Sequence, residues 1–102
     1  MPQTRTRQRI FPVPSTMLFY YCMTALGHMR AQITTQDAGR GMIVATIGKG
    51  LFAPSGQLAL TITALDGERA ELSAAYRAQA WGGDRRILAA FVELLDSLVA
   101  QR

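Results

Sequence analysis

The only cysteine and the only histidine of the chain are the residues best suited to nucleophilic or acid–base chemistry. Cys22 and His28 lie six positions apart in one apolar stretch. On a helix this spacing leaves the two side chains roughly 120° apart, so they cannot pair with each other. No Asp or Glu accompanies them nearby. We therefore expect Cys22 to be a core residue and His28 a surface or helix-end residue, and we expect no catalytic site, no metal site and no cofactor.

Two glycine-containing segments resemble phosphate-binding segments. Gly48-Lys49-Gly50 lacks the earlier glycine and the following Ser or Thr of a P-loop, and no helix is predicted after it. Gly82-Gly83 precedes a predicted helix start at Asp84, where free backbone amides can hold an anion. Asp84 competes for those amides as the helix cap. The two segments are therefore interpreted as a hairpin loop and a capped helix start.

Four apolar or aromatic residues are candidates for contact with a ligand or a partner: Leu51, Phe52, Tyr20 and Trp81. Leu51 and Phe52 interrupt a glycine-rich loop over residues 48–56, where exposed apolar side chains are unfavourable unless something covers them. Either this loop folds over an open end of the core, or it contacts a ligand, a membrane or another subunit. Trp81, beside two glycines, also fits a plug at the core edge. Tyr20 could stack on bases, but no surrounding pattern of basic residues supports a nucleic-acid platform.

The length of 102 residues predicts a single domain with one core. A single cysteine permits no internal disulfide, which favours the cytoplasm as the location of the protein. The longest apolar run, over residues 17–26, is far shorter than the ~20 residues that a membrane-spanning helix needs. We read this run as a buried helix.

The net charge of +4 comes from the first half of the chain, where Arg5, Arg7 and Arg9 occupy alternate positions. Such a basic excess can attract a nucleic acid or an acidic surface. The sequence favours the plainer interpretation, a flexible basic leader over residues 1–8 that is simply solvated, followed by one domain over residues 9–102. Nucleic acid is accordingly placed last among the candidate partners.

Hydrophobic periodicity and turn residues predict a chain of five strands and two helices. Proline restricts the first strand to a sheet edge, and Asp66-Gly67 is a strong hairpin signal. The predicted elements are strands over 9–13, 30–36, 42–47, 57–65 and 69–79, and helices over 16–29 and 84–99. The predicted fold class is α+β, with the order β-α-β-β-β-β-α.

Apolar side chains alternate along both strands of the predicted hairpin, so one face of the sheet is apolar and the other polar. The last helix carries a matching apolar stripe. We therefore predict an antiparallel sheet of four to five strands with both helices on one face. The predicted core consists of Leu60, Ile62, Leu72, Tyr76, Leu88, Phe91 and Leu95.

Two segments carry a resemblance to a known fold group: GRGMIVATIGKG at residues 39–50 and WGGDRRILAAFVELL at residues 81–95. Together with the opening strand and helix, they make the chain resemble the small helix-grip-like α+β domains of uncharacterised bacterial proteins. The resemblance covers about ninety residues as a pattern of spacing. It implies either binding of an apolar ligand or a role as an assembly module, and it assigns no role to particular residues.

The nearly all-round apolar character of the first helix and the Leu51-Phe52 pair lead to a function hypothesis. The leading hypothesis is a non-enzymatic protein-interaction or assembly module, forming a homodimer or binding another protein. The alternative is a domain that binds a small apolar ligand, with a pocket between the C-terminal helix and the sheet. A nucleic-acid-binding N-terminus is a third option.

Overall fold

An antiparallel sheet of five strands and two helices make up the computed structural model, which describes residues 4–47, 56–78 and 84–101. Along the chain the elements are β1 (Thr4–Phe11), α1 (Ser15–His28), β2 (Gln32–Asp37), β3 (Met42–Ile47), β4 (Gly56–Ala64), β5 (Ala70–Ala78) and α2 (Asp84–Ala100). The strands lie in the order β1-β5-β4-β3-β2, so that β1 and β2 form the two edges. The predicted α+β class and element order are confirmed.

The core lies between the two helices and one face of the sheet. Every second residue of β4 from Gly56 to Ile62 is buried, and the residues between them are exposed. All seven residues of the predicted core are at most 5% exposed and belong to one apolar cluster. Burying each large aliphatic or aromatic side chain of this kind contributes roughly 1.5–3 kcal/mol, so the alternation decides which face the helices cover.

Strand β1 begins earlier than the sequence predicts. It runs from Thr4 to Phe11 and therefore includes residues 4–8 of the stretch that was interpreted as a leader. Every one of its residues is paired with β5, from Thr4 opposite Arg77 to Phe11 opposite Ala70. Backbone hydrogen bonds from β5 stabilise this segment although its own composition is polar. Proline at position 12 ends the strand because it cannot donate to the ladder.

Helix α1 begins and ends one residue earlier than the predicted range 16–29. Pro14 occupies the N-cap position with an extended backbone, and no side chain caps the first turn. At the other end Gly27 stays within the helix. The chain leaves it in a Schellman motif, in which the Ala31 N–H donates to the Leu26 carbonyl and Arg30 adopts a left-handed φ of 57°.

The connection between β4 and β5 is longer than a two-residue hairpin. Ala64 opposite Ala70 is the last strand pair, so five residues form the turn. The Asp66 carboxylate accepts hydrogen bonds from the Glu68 N–H at 2.8 Å and from the Arg69 Nε at 2.9 Å. The Glu68 bond, followed by the Arg69 bond, lowers the pKa of Asp66. Asp66 therefore shapes the turn with its side chain, as in an Asx turn.

Candidate ligand-binding site

The antiparallel register gives the sheet two ends with different contents. We call one the turn end: it contains the end of β1 at Phe11, the start of α1, the 38–41 turn and the 65–69 turn. We call the other the arginine end: there Thr4 lies opposite Arg77, Ala78 opposite Gly56, and Thr46 opposite Gln32. The first turn of α2 also lies toward the arginine end, because the C-terminal half of α2 contacts β1 through Asp96 and Arg9.

A pocket of about 240 Å³ lies at the turn end, between the first turns of α1, the 38–41 turn and the end of β4. Its apolar walls are Phe19, Tyr20, Ile62 and Ala64, and Ser15, Thr16 and Arg40 line its polar part. Phe19 and Ile62 are buried, whereas the Tyr20 side chain is 71% exposed and forms the rim. The pocket therefore has an apolar floor and a mouth open to solvent.

The wall formed by the 38–41 turn is fixed to β4 through Gly41. Its φ of 66° is a left-handed conformation that favours glycine. The Ile62 N–H donates to the Gly41 carbonyl at 2.7 Å, and a Cβ at Gly41 would clash with the Ile62 backbone. The turn therefore lies tightly against β4 at the floor of the pocket, and only a residue without a side chain permits this approach.

The aromatic wall comes from consecutive residues of α1. The rings of Phe19 and Tyr20 meet edge to face, with centroids 6.2 Å apart and planes at 89°. Phe19 points into the core, and Tyr20 lies beside it at the mouth. A flat apolar ligand entering the pocket would meet both rings.

The charges near the pocket largely cancel. The Arg40 side chain lies 3.8 Å from the Asp37 carboxylate, and the Arg40 N–H donates to the same carboxylate at 3.1 Å. Both side chains are well exposed, so the ion pair contributes little to stability. The pocket thus offers apolar contact and hydroxyl groups more than net charge.

Of the four site residues that the sequence suggests, Tyr20 lies at this pocket. Leu51, Phe52 and Trp81 lie outside the described residues, and their roles stay predictions. Phe19, Ile62 and the 38–41 turn were missed, because a buried Phe or Ile in an amphipathic pattern is indistinguishable from any other core residue. The glycines of Gly39-Arg40-Gly41 were a signal for a tight turn but gave no indication of its neighbours.

The space between α2 and the sheet, where the sequence-based alternative places its pocket, is occupied by side chains in the described part of the chain. Leu88, Phe91 and Leu95 of α2 are buried in one cluster with the sheet residues. Tyr76 also points inward, with its ring against the backbone of Gly56, where a Cβ would overlap it. The described pocket therefore lies beside α1 and not under α2.

The residues considered for catalysis lie away from the pocket. Cys22 is fully buried on α1, and burial raises the pKa of its thiol to about 12. A thiol with this pKa stays protonated at neutral pH and is a poor nucleophile. His28 is an exposed residue at the C-terminal end of α1, whereas the pocket lies beside the N-terminal end of this helix. Neither residue lines the pocket.

Across the described ranges, no group of three or more His, Cys, Asp or Glu side chains is placed to hold a metal ion. Neither described helix is long and apolar enough to cross a membrane.

Comparison with known proteins identifies the fold. No protein-family model and no curated protein sequence matches the chain. Among solved structures, Ara h 8.0201 has a TM-score of 0.60 at 12% identity, with all of both chains covered. The di-domain ARO/CYC StfQ from the steffimycin biosynthetic pathway has a TM-score of 0.55 at 10% identity. This similarity covers 93% of the present chain and 43% of the StfQ chain. The Zhui aromatase/cyclase from Streptomyces sp. R1128 has a TM-score of 0.45 at 13% identity. This similarity covers 98% of the present chain and 89% of the Zhui chain.

The first two similarities assign this chain the helix-grip fold, which both proteins share. The leading hypothesis of an assembly module is contradicted by this comparison. That hypothesis interpreted the apolar surface of the first helix as a contact with a second subunit. The buried residues of this helix, Leu18, Phe19, Cys22, Ala25 and Leu26, face the sheet and α2 of the same chain, so its broad apolar surface needs no second subunit. The architecture is thus a helix-grip domain whose described pocket lies at the turn end.

Proposed function

We propose that this protein binds a small, largely apolar molecule in the turn-end pocket. The observation that supports the proposal is the pocket of about 240 Å³ with Phe19, Tyr20 and Ile62 as walls. Ligand sites are typically concave, mostly apolar and equipped with a few polar groups, and this pocket has that composition. A protein of the same fold, the di-domain ARO/CYC StfQ, comes from the steffimycin biosynthetic pathway.

The size of the pocket limits the ligand. Drug-sized molecules occupy pockets of roughly 300–1,000 Å³, and a cavity of about 150 Å³ accepts benzene. A volume of about 240 Å³ therefore suits a molecule of one or two rings. Such a ring would contact the edge-to-face pair of Phe19 and Tyr20, and a hydroxyl or carbonyl on it would reach Ser15 or Thr16 at the polar side.

The proposed role is binding without catalysis. Acid–base or nucleophilic chemistry needs polar groups that converge on one point. The hydroxyls of Ser15, Thr16 and Tyr20 line the pocket, but no histidine or cysteine is among its lining residues. We further propose a cytoplasmic location, which the unpaired thiol of Cys22 supports.

The test is a titration of the ¹⁵N-labelled protein with 2-naphthol, followed by NMR. Saturable shifts should concentrate on the backbone amides of Phe19, Tyr20, Gly41 and Ile62. Ala64→Phe should lower the affinity at least about tenfold, because Ala64 lines the pocket and a ring there would fill it. Ala59→Phe is the matched control, since Ala59 is an exposed alanine of the same strand on the opposite face.

Two results would reject the proposal. One is the absence of saturable shifts in the wild-type protein. The other is an equal loss of affinity in Ala64→Phe and Ala59→Phe, which would place the binding elsewhere. Thermal melting of both variants shows whether each is folded before binding is compared.

A further inference from the structure

The fold gathers arginines from four separate parts of the sequence at the arginine end. On β1, Arg5 lies opposite Tyr76, next to Arg77 of β5, whereas Arg7 lies at the middle of the strand, opposite Ala74. Arg30 lies two residues before β2, whose first residues pair with the end of β3. Arg85 and Arg86 belong to the first turn of α2. By backbone position the described residues at this end therefore include five arginines and one acidic residue, Asp84, a formal charge of +4: Arg5, Arg30, Arg77, Arg85 and Arg86.

The arginines at this end are also unneutralised. Arg30, Arg77 and Arg86 are exposed and form no ion pair with any described residue. At the turn end, by contrast, each of Arg9, Arg40 and Arg69 is paired with an aspartate. Exposed charges of one sign repel each other and are favourable only when a counter-charge approaches.

Arg30 adds an independent observation. It adopts a left-handed φ of 57° at the end of α1, a conformation that glycine adopts without strain and other residues rarely adopt. A strained non-glycine residue is a reason to look for a use of its side chain. Here the side chain adds a guanidinium beside the edge strand β2, across the sheet from β1.

We propose that the arginine end binds the phosphate backbone of a nucleic acid. The guanidinium fork matches phosphate oxygens with two parallel hydrogen bonds. The arginines extend from edge to edge of five strands, about 19 Å at the usual strand spacing. A DNA duplex presents roughly eleven phosphate charges over that length.

The described residues of this end favour a purely ionic partner. The large apolar side chains that the described chain leaves exposed are Ile10, Met17, Tyr20, Met42 and Leu65, and all of them lie at the turn end. A membrane surface or the core of a protein interface would require apolar contact as well as charge. A phosphate backbone requires mainly positive charge.

The test compares two double variants that lower the net charge equally. Binding to a fluorescein-labelled DNA duplex of about two helical turns is followed by fluorescence anisotropy over a range of salt concentrations. Arg77→Ala/Arg86→Ala should weaken binding about tenfold or more and reduce the slope of log affinity against log salt by about two. Arg40→Ala/Arg69→Ala, at the turn end, should leave the affinity for DNA and the salt slope nearly unchanged.

Three outcomes would overturn the proposal. Equal losses in the two double variants would show attraction to net charge alone. No binding by the wild-type protein at low salt would exclude the surface altogether. Binding to vesicles of phosphatidylserine and phosphatidylcholine in the absence of DNA binding would assign this end to a membrane surface instead. The 2-naphthol titration of Arg77→Ala/Arg86→Ala should match the wild type, because the pocket lies at the other end of the sheet.

Discussion

At the turn end every arginine of the described chain lies within 3.8 Å of a carboxylate, whereas at the arginine end the exposed guanidinium groups have no such partner among the described residues. The turn end also holds the pocket and the exposed apolar side chains. The same residue type is therefore internally neutralised at one end and left available at the other. The comparison teaches that turn sequences supply most of the neutralising charge: Asp37 and Asp66 each precede their arginine by three residues, and only the pair of Arg9 and Asp96 joins distant segments.

The largest expected effect is on the scaffold that both ends share. Leu95 is fully buried on α2 among sheet residues, so Leu95→Ala removes apolar contacts and leaves a cavity. We expect a loss of about 2–5 kcal/mol in the free energy of unfolding, measured by denaturant titration. Exposed Glu93 on the same helix supplies the control, since Glu93→Ala should stay within about 0.5 kcal/mol. A loss below that level in Leu95→Ala would contradict the assignment of the buried face of α2.

Gly41→Ala should affect the turn end alone. The left-handed φ of 66° and the contact with the Ile62 backbone leave no room for a Cβ. We expect a loss of about 1–3 kcal/mol in thermal or chemical unfolding, together with weaker 2-naphthol binding. Gly39→Ala, two residues earlier, meets only the Asp37 side chain at 3.4 Å and should be nearly neutral. DNA binding that fell in Gly41→Ala would show that the two ends are not independent.

Arg30→Gly should separate stability from binding at the arginine end. Glycine adopts the left-handed conformation without strain, so the variant should be more stable by about 1 kcal/mol. Removal of the guanidinium should at the same time weaken DNA binding. Arg30→Lys keeps the charge and should bind DNA better than Arg30→Gly without the gain in stability. A stabilised Arg30→Gly that binds DNA as well as the wild type would remove Arg30 from the proposed surface.

The smallest effect is a pH dependence at the 65–69 turn. The hydrogen bond from Glu68 and the interaction with Arg69 lower the pKa of Asp66 below its usual 3.8. A lowered folded-state pKa contributes stability that is present above the unfolded-state pKa and is lost as the pH falls through the folded-state pKa. We expect NMR titration to place the Asp66 carboxyl pKa below 3.8, and Asp66→Asn to remove this part of the acid dependence. A titration at or above 3.8 would mean that the turn hydrogen bonds do not form in solution.

The sequence predicted the parts of the fold in which local pattern and tertiary environment agree. The alternation over Leu58, Leu60 and Ile62 and the stripe over Leu88, Phe91 and Leu95 identified the hairpin, the last helix and the core correctly. These residues repeat with the period of their element, so the buried face can be read directly.

Features that depend on distant partners were not predictable. Residues 4–8 look like a polar leader until β5, more than sixty residues later, supplies hydrogen bonds to them. The left-handed conformation at residue 30 is adopted by an arginine, so no glycine in the sequence indicates it. The pocket arises where α1, the 38–41 turn and β4 meet, and only Tyr20 of its lining was singled out beforehand.

The pairing of β1 with β5 also has a consequence for how the chain folds. Residues 4–11 find their hydrogen-bonding partners at residues 70–77, so β1 cannot pair until β5 has been synthesised. Contacts of such long sequence separation slow folding, because a large loop must close before they form. Until then, β1 and the unpaired edge of β5 are available to other chains. A chaperone that covers residues 4–11 during synthesis would therefore be expected to increase the yield of native protein more than one that acts on the finished chain.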